Sequence, residues 1–187
     1  MTLVQCPTIF GGEVGRSGRN WDCGRRATIA DSVPIKKTVF RGATKVTLDA
    51  KGRLAIPTRY RERIKARCDG QLVTTIQKDY CLLIYPFPEW EEIERKLTRL
   101  PSLNKHARRL LRLMVGHATE VDLDGHGRIL LSRELREFAN LGRQTMLIGL
   151  GNKFELWDED TWSHKRDEWL VEDDETDLSA ELESLSL

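Results

Sequence analysis

Two arginines occupy the same short sequence context at two places in the chain. The segments LDAKGR, ending at Arg53, and LDGHGR, ending at Arg128, share the pattern Asp-x-x-Gly-Arg. Arginine suits phosphate binding and bidentate contact with the O6 and N7 atoms of guanine. It could equally pair with a carboxylate, and Asp49 and Asp124 are the nearest ones in the sequence. The residue types alone leave both interpretations open.

The other residues of the motif are typical of a tight turn. A short carboxylate such as Asp49 or Asp124 can accept hydrogen bonds from backbone N–H groups, and Gly52 and Gly127 tolerate positive φ. We therefore predict a structural role in a turn for these four residues. A catalytic carboxylate pair is the weaker interpretation, because no nucleophile motif and no suitably spaced histidine accompanies them.

Inside the turns, the first copy carries Lys51 where the second carries His126. Both residues are expected to be exposed within their loops, and Lys51 is in addition a natural phosphate contact. His126 as a metal ligand would stand alone, and we therefore predict no metal site.

The match between the two segments extends beyond the motif, which predicts two copies of one small unit. The identical pairs are Leu48/Leu123, Asp49/Asp124, Gly52/Gly127, Arg53/Arg128, Arg61/Arg136 and Glu62/Glu137. In each copy we predict two short strands, a helix and two more strands, followed by a tryptophan, Trp90 or Trp162. This pattern indicates an α+β fold that is mainly β.

Local signals predict the position of most elements. The predicted strands and helices of the first copy are Lys45–Leu48, Leu54–Ile56, Thr58–Arg67, Gln71–Ile76 and Cys81–Tyr85. The predicted later helices are Glu89–Leu100, one capped by Ser102, Arg133–Ala139 capped by Ser132, and Trp162–Leu170. The last hairpin is expected to turn at Gly149–Asn152.

The net charge of +1 hides a strong segregation of charge along the chain. Between Arg41 and Arg67 there are nine basic residues against two acidic ones, whereas residues 171–187 carry seven acidic residues and no basic one. A basic stretch that overlaps the repeated motif favours a polyanion such as nucleic acid as partner. The alternative is an ordinary solvated face.

Other classes of protein are disfavoured. The cysteines at positions 6, 23, 68 and 81 show no paired spacing, which argues against a zinc site or a disulfide framework and favours reduced thiols. No apolar run approaches the roughly 20 residues needed to span a bilayer, and the first ten residues lack the pattern of a secretory signal. With no nucleophile motif or phosphate loop, we expect neither an enzyme nor a cofactor.

Three stretches together resemble the MraZ family. They are Phe40-Arg41-Gly42, the run from Leu48 to Pro57, and the run from Val121 to Ile129, within a resemblance that covers about residues 39–166. The resemblance implies an AbrB-like swapped-hairpin β-barrel built from two tandem repeats in one chain, with flanking helices. It implies a bacterial transcriptional regulator, cytoplasmic and associated with the nucleoid. Such a regulator binds short direct repeats of double-stranded DNA upstream of the division and cell-wall gene cluster. It also implies a ring-shaped homo-oligomer, with no membrane and no small-molecule substrate.

In that family an Asp-x-x-x-Arg motif carries DNA binding, and it maps here onto Asp49/Arg53 and Asp124/Arg128. The residues that we predict to contact DNA are Lys51, Arg53, His126, Arg128, Lys45, Arg41 and Arg59. Because the first copy lies in the more basic stretch, we expect Arg53 to matter more than Arg128. The alternative function is an antitoxin-like protein-interaction module that uses the same barrel.

The two copies divide the chain into repeats at 43–91 and 120–163 with a helical connector at 92–119. Residues 1–38 are rich in Gly, Arg and Ser and are expected to be a disordered extension. Family members tend to begin Met-Phe-Arg-Gly, whereas this chain has Val39 before Phe40-Arg41-Gly42, so we expect the native start at residue 39. Residues 164–187 are expected to form a helix end and a disordered acidic tail.

Overall fold

A computed structural model of the chain describes residues 39–101 and 104–171. Our expectations for residues 1–38, for Ser102 and Leu103, and for the tail from Glu172 lie outside the described residues. The elements of the first half are β1 (Phe40–Thr47), β2 (Arg53–Ala55), α1 (Thr58–Cys68), β3 (Gln71–Gln77), β4 (Cys81–Pro86) and α2 (Phe87–Thr98). The elements of the second half are α3 (Lys105–Met114), β5 (Thr119–Asp122), β6 (Arg128–Leu130), α4 (Arg133–Phe138), β7 (Gln144–Gly151), β8 (Lys153–Asp158) and α5 (Glu159–Val171).

The predicted repeat of two strands, a helix and two strands is present in both halves, and the fold is α+β with β predominating. Strands of one copy pair with strands of the other. In the six-stranded antiparallel sheet, ordered β1-β7-β8-β4-β3-β5, the first strand of each copy lies at an edge beside the third strand of the other copy. The short strands β2 and β6 form a separate antiparallel ribbon, again one from each copy.

The barrel that we expected is not closed by hydrogen bonds among the described residues. Strands β1 and β5 are the two edges of the six-stranded sheet and do not pair with each other. The β2–β6 ribbon instead covers one side, and its central residues Leu54 and Ile129 are buried in the main core. That core also contains Phe40, Tyr60 and Phe154, whose rings contact one another with centroids 4.2 to 5.9 Å apart.

Several helix ends differ from the prediction because the capping residues differ. Helix α3 begins at Lys105, where the Asn104 side chain accepts hydrogen bonds from the N–H groups of His106 and Ala107. The cap of α3 is therefore Asn104, two residues after the position expected from the sequence. Helix α5 begins three residues earlier than predicted, because the Asp158 carboxylate accepts hydrogen bonds from the N–H groups that follow it.

Other ends follow the predicted signals. The Ser132 hydroxyl accepts a hydrogen bond from the Leu135 N–H at 3.3 Å, as expected for the cap of α4. Helix α1 ends before Asp69, which adopts left-handed backbone geometry with φ of 52°. Helix α2 is an exception, because it begins at Phe87, two residues before the predicted start, with a proline in its first turn, where proline is tolerated. No helix in the part of the chain that the structure describes is long and apolar enough to cross a bilayer.

Candidate functional site

The two Asp-x-x-Gly-Arg segments form turns with the same hydrogen bonds. In the first turn, Oδ1 of Asp49 accepts hydrogen bonds from the N–H groups of Lys51 and Arg53, both at 2.9 Å. In the second turn, Oδ1 of Asp124 accepts from His126 at 2.9 Å and from Arg128 at 2.8 Å. One carboxylate oxygen of each aspartate therefore fixes the backbone of its turn.

The second oxygen of each carboxylate holds the arginine. Nε of Arg53 donates to Oδ2 of Asp49 at 2.7 Å, and Nε of Arg128 donates to Oδ2 of Asp124 at 2.9 Å. The arginine side chains nevertheless remain 34% and 29% exposed. Since a guanidinium carries five N–H donors, each arginine is paired with its aspartate and still has donors for a ligand. The two interpretations left open by the sequence are compatible.

These hydrogen bonds change the ionisation of the aspartates. The hydrogen bond from the Arg128 backbone N–H is the largest influence and lowers the pKa of Asp124 to about 2. The pKa of Asp49 is lowered by the same cause, the hydrogen bond from the Arg53 backbone. Both carboxylates are therefore ionised at neutral pH, and each ion pair with its arginine is intact there.

The β2–β6 ribbon places the two arginines on one face. Arg53 lies opposite Leu130, and Arg128 lies opposite Ala55, so the arginines are diagonal neighbours across the ribbon. The intervening pair, Leu54 and Ile129, points into the core. Because successive side chains of a strand alternate between faces, both arginines point away from the core.

The remaining turn residues surround this face. Lys51 and His126 are exposed, while Gly52 and Gly127 are buried and have φ of 81° and 76°. Each turn is also bonded to the other copy: the Gly127 carbonyl accepts from the Ile56 N–H and the Gly52 carbonyl accepts from the Leu131 N–H, both at 2.9 Å. Four of the seven predicted contact residues are therefore in two linked turns.

The other three predicted contact residues are not in these turns. Lys45 forms an ion pair with Glu159 at the start of α5, while the Arg59 guanidinium donates to the Thr44 hydroxyl and lies 4.6 Å from the Tyr60 ring centroid. Thr44 and Lys45 are adjacent in β1, so their side chains point to opposite faces of that strand. Lys45 and the Arg59 side chain, which bonds to Thr44, are therefore on opposite faces of β1. Arg41 is exposed near the far end of β1 from the first turn.

Two residues that we did not predict lie against the turns. The Arg61 side chain occupies the space beside Gly127, and the Arg136 side chain occupies the space beside Gly52. The sequence contained a signal for them, because both are among the identities between the copies. Nothing in the sequence indicated that each would reach the turn of the opposite copy.

The chain matches known proteins over the same region. A family model described as "MraZ protein, putative antitoxin-like" matches residues 39–113 and again residues 114–182. A protein of Thioalkalivibrio sulfidiphilus named transcriptional regulator MraZ is 57% identical over 150 residues, which are 80% of this chain and 100% of the relative. Proteins of the same name from Methylococcus capsulatus and Halorhodospira halophila are 56% and 54% identical, over 72% and 80% of this chain and 88% and 100% of the relatives. The chain therefore belongs to the MraZ family.

Proposed function

We propose that this protein is a transcriptional regulator that binds double-stranded DNA through the exposed face of the β2–β6 ribbon and its two turns. The observation that carries the proposal is the pair of oriented, partly exposed arginines, Arg53 and Arg128, on one face of a two-stranded ribbon. A ribbon of this kind fits the major groove of B-DNA, where arginine can make bidentate contacts with guanine. The name of the relatives supports the same function.

The finer features of the proposal follow from the family resemblance. The DNA would be short direct repeats in the promoter region of the protein's own gene cluster, which encodes division and cell-wall proteins. The protein would act in the cytoplasm, at the nucleoid, as a ring-shaped homo-oligomer. Several pairs of turns on one ring, each binding DNA weakly, would together gain affinity for repeated DNA because of their high effective concentration. The exchange of strand partners between the copies supports the swapped-hairpin architecture that we propose.

The test is a gel shift with promoter DNA from upstream of the protein's own gene. We expect Arg53→Ala to weaken binding at least tenfold, which corresponds to about 1.4 kcal/mol, and Arg128→Ala to weaken it less. The matched control is Arg63→Ala, which removes an equal charge from an exposed position of α1. Retained affinity in Arg53→Ala, with a normal fold, would remove this face from the proposed DNA site.

Salt dependence provides a second readout of the same proposal. Contacts between basic side chains and phosphates release counterions, so log affinity should fall linearly as log salt concentration rises. Binding that is insensitive to salt would contradict a DNA-binding surface in which Lys51 and the arginine side chains contact phosphates.

The description of the family model supports a second candidate function, an antitoxin-like module that binds a protein. A pull-down from nuclease-treated lysate of the native host distinguishes the two functions. A stoichiometric partner retained without DNA, together with no promoter binding, would favour the second.

A further inference from the structure

The Arg61 side chain is built into a small network that joins the two copies. Its Nε donates to the Ile56 carbonyl at 2.6 Å, and the Ile56 N–H donates to the Gly127 carbonyl at 2.9 Å. A Cβ atom at Gly127 would overlap with Cδ, Nε and Cζ of Arg61. Arg61, which belongs to the first copy, therefore occupies the space next to the turn of the second copy.

Arg136 has the equivalent position in the other direction. A Cβ atom at Gly52 would lie 2.9 Å from Nε of Arg136 and 3.1 Å from the Leu131 carbonyl oxygen. The Leu131 N–H donates to the Gly52 carbonyl, just as the Ile56 N–H donates to Gly127. Nε of Arg136 is buried and, among the described residues, has no hydrogen-bond partner, so only one of the two networks is complete.

Neither arginine is explained by an ordinary ion pair. Within the described part of the chain, no carboxylate forms a salt bridge with Arg61 or Arg136. Their shared feature is instead the backbone of a glycine turn in the opposite copy. A glycine at these positions allows positive φ and also leaves room for the guanidinium.

We propose that Arg61 and Arg136 are positioning residues, each of which holds the DNA-facing turn of the opposite copy in place. This proposal rests on the proposed function for its relation to DNA, but the bracing itself is a property of the free protein. Arg61 supports the turn that carries His126 and Arg128, and Arg136 supports the turn that carries Lys51 and Arg53.

The bracing is tested without DNA, by residue-resolved amide hydrogen exchange of the full chain. The N–H groups of Lys51, Gly52 and Arg53 report on the first turn, and those of His126, Gly127 and Arg128 report on the second. We expect Arg61→Ala to accelerate exchange about tenfold or more in the second turn while the first turn is unchanged. Arg136→Ala should accelerate exchange in the first turn, and less strongly, because its Nε makes no hydrogen bond.

Two further variants keep this test decisive. Arg63→Ala on α1 is the charge-matched control and should leave both turns as they are. If Arg61→Ala does not fold, Arg61→Lys retains the charge and the aliphatic stem but lacks Nε, and it should still accelerate exchange in the second turn. The proposal would be overturned if an arginine variant exchanged faster in the turn of its own copy, equally faster in both turns, or no faster in either turn.

Binding to promoter DNA then separates positioning from direct contact. If Arg61 positions the turn, Arg61→Lys should lose affinity about three- to tenfold while the salt dependence keeps its slope. Full affinity in Arg61→Lys together with a shallower slope in Arg61→Ala would indicate a phosphate contact instead and would overturn the positioning role. If the unmodified protein binds no promoter DNA, the proposed function fails, whereas the exchange result stands.

Discussion

The aspartate of each turn holds both the backbone of the turn and the side chain of its arginine. In the second turn, one oxygen of Asp124 accepts two backbone hydrogen bonds, and the other accepts a hydrogen bond from Nε of Arg128. Because the arginine is held before any ligand arrives, less side-chain freedom is lost on binding. An asparagine could keep part of the backbone pattern but would lose the ion pair.

The lowered pKa of Asp124 makes this contribution dependent on pH. A carboxyl whose pKa is lower in the folded than in the unfolded state stabilises the fold. This stabilisation is fully present when the pH is above the pKa of the unfolded state, which is near 3.8. The stabilisation is lost as pH falls through the folded value of about 2. We therefore expect Asp124→Asn to be less stable than the unmodified protein at neutral pH, and the difference to shrink as pH falls below about 4.

Urea unfolding of both proteins from about pH 7 down to about pH 2 measures this difference. Asp122→Asn is the control, because Asp122 is exposed at the end of the neighbouring strand β5. A difference between Asp124→Asn and the unmodified protein that is constant over the whole range would contradict the prediction.

The residue pair Lys51 and His126 is the main difference between the two turns. We expect His126→Lys to increase affinity for promoter DNA and to steepen the dependence of log affinity on log salt by about one, since it adds one phosphate contact. Val171→Lys is the matched control: it adds the same charge at an exposed position at the end of α5, outside both turns. An equal gain from both substitutions would show that total charge matters and not the turn.

At the scale of elements, the two glycines of the second turn have different roles. Gly127 has φ of 76° and faces Arg61, whereas Gly125 has no atom within 4 Å of the position of an added Cβ. We expect Gly127→Ala to destabilise the protein by more than about 1 kcal/mol, and Gly125→Ala to change stability by no more than a few tenths. Alanine already stands at the equivalent position of the first turn, Ala50.

Chemical denaturation of the two variants under identical conditions measures their stabilities and so tests this prediction. Because both substitutions add one methyl group to the same turn, they differ only in backbone geometry and neighbouring atoms. Equal stability of the two variants would show that the space beside Gly127 is not occupied as described.

The elements show which parts of the structure could be predicted from sequence. The turns and the Ser132 cap were predictable because side chains within four residues determine them. Strand β1 was predicted too short, at Lys45–Leu48, because its full length depends on pairing with β7, about 100 residues away. The contacts of Arg61 and Arg136 were missed for the same reason: the sequence reports their identity in both copies but not which turn each one meets.

At the scale of the whole molecule, each half of the described chain contributes only one hairpin, β3–β4 or β7–β8, whose two strands pair within the same half. In the first half, the strands that pair with β1 and β2 both belong to the second half, and β4 loses β8 if the chain is divided. We expect fragments 39–118 and 119–171 to lack cooperative unfolding when each is studied alone as a monomer. Mixed in equal amounts, they should recover it, because the missing partners are then supplied.

Near-ultraviolet circular dichroism and light scattering of each fragment and of the mixture measure this recovery. The intact 39–171 chain serves as the reference for the native signal. A fragment that is monomeric and unfolds cooperatively by itself would contradict the exchange of strands between the halves.

The pairing of Phe40 with Gly151 also has a consequence for synthesis on the ribosome. At about 5–20 residues per second, the first strand emerges roughly 5–20 s before its partner has been made. During this interval, β1 has an unpaired edge and the aromatic ring of Phe40, later fully buried, has no core to enter. Association of neighbouring nascent chains through this edge would compete with the later pairing of β1 and β7.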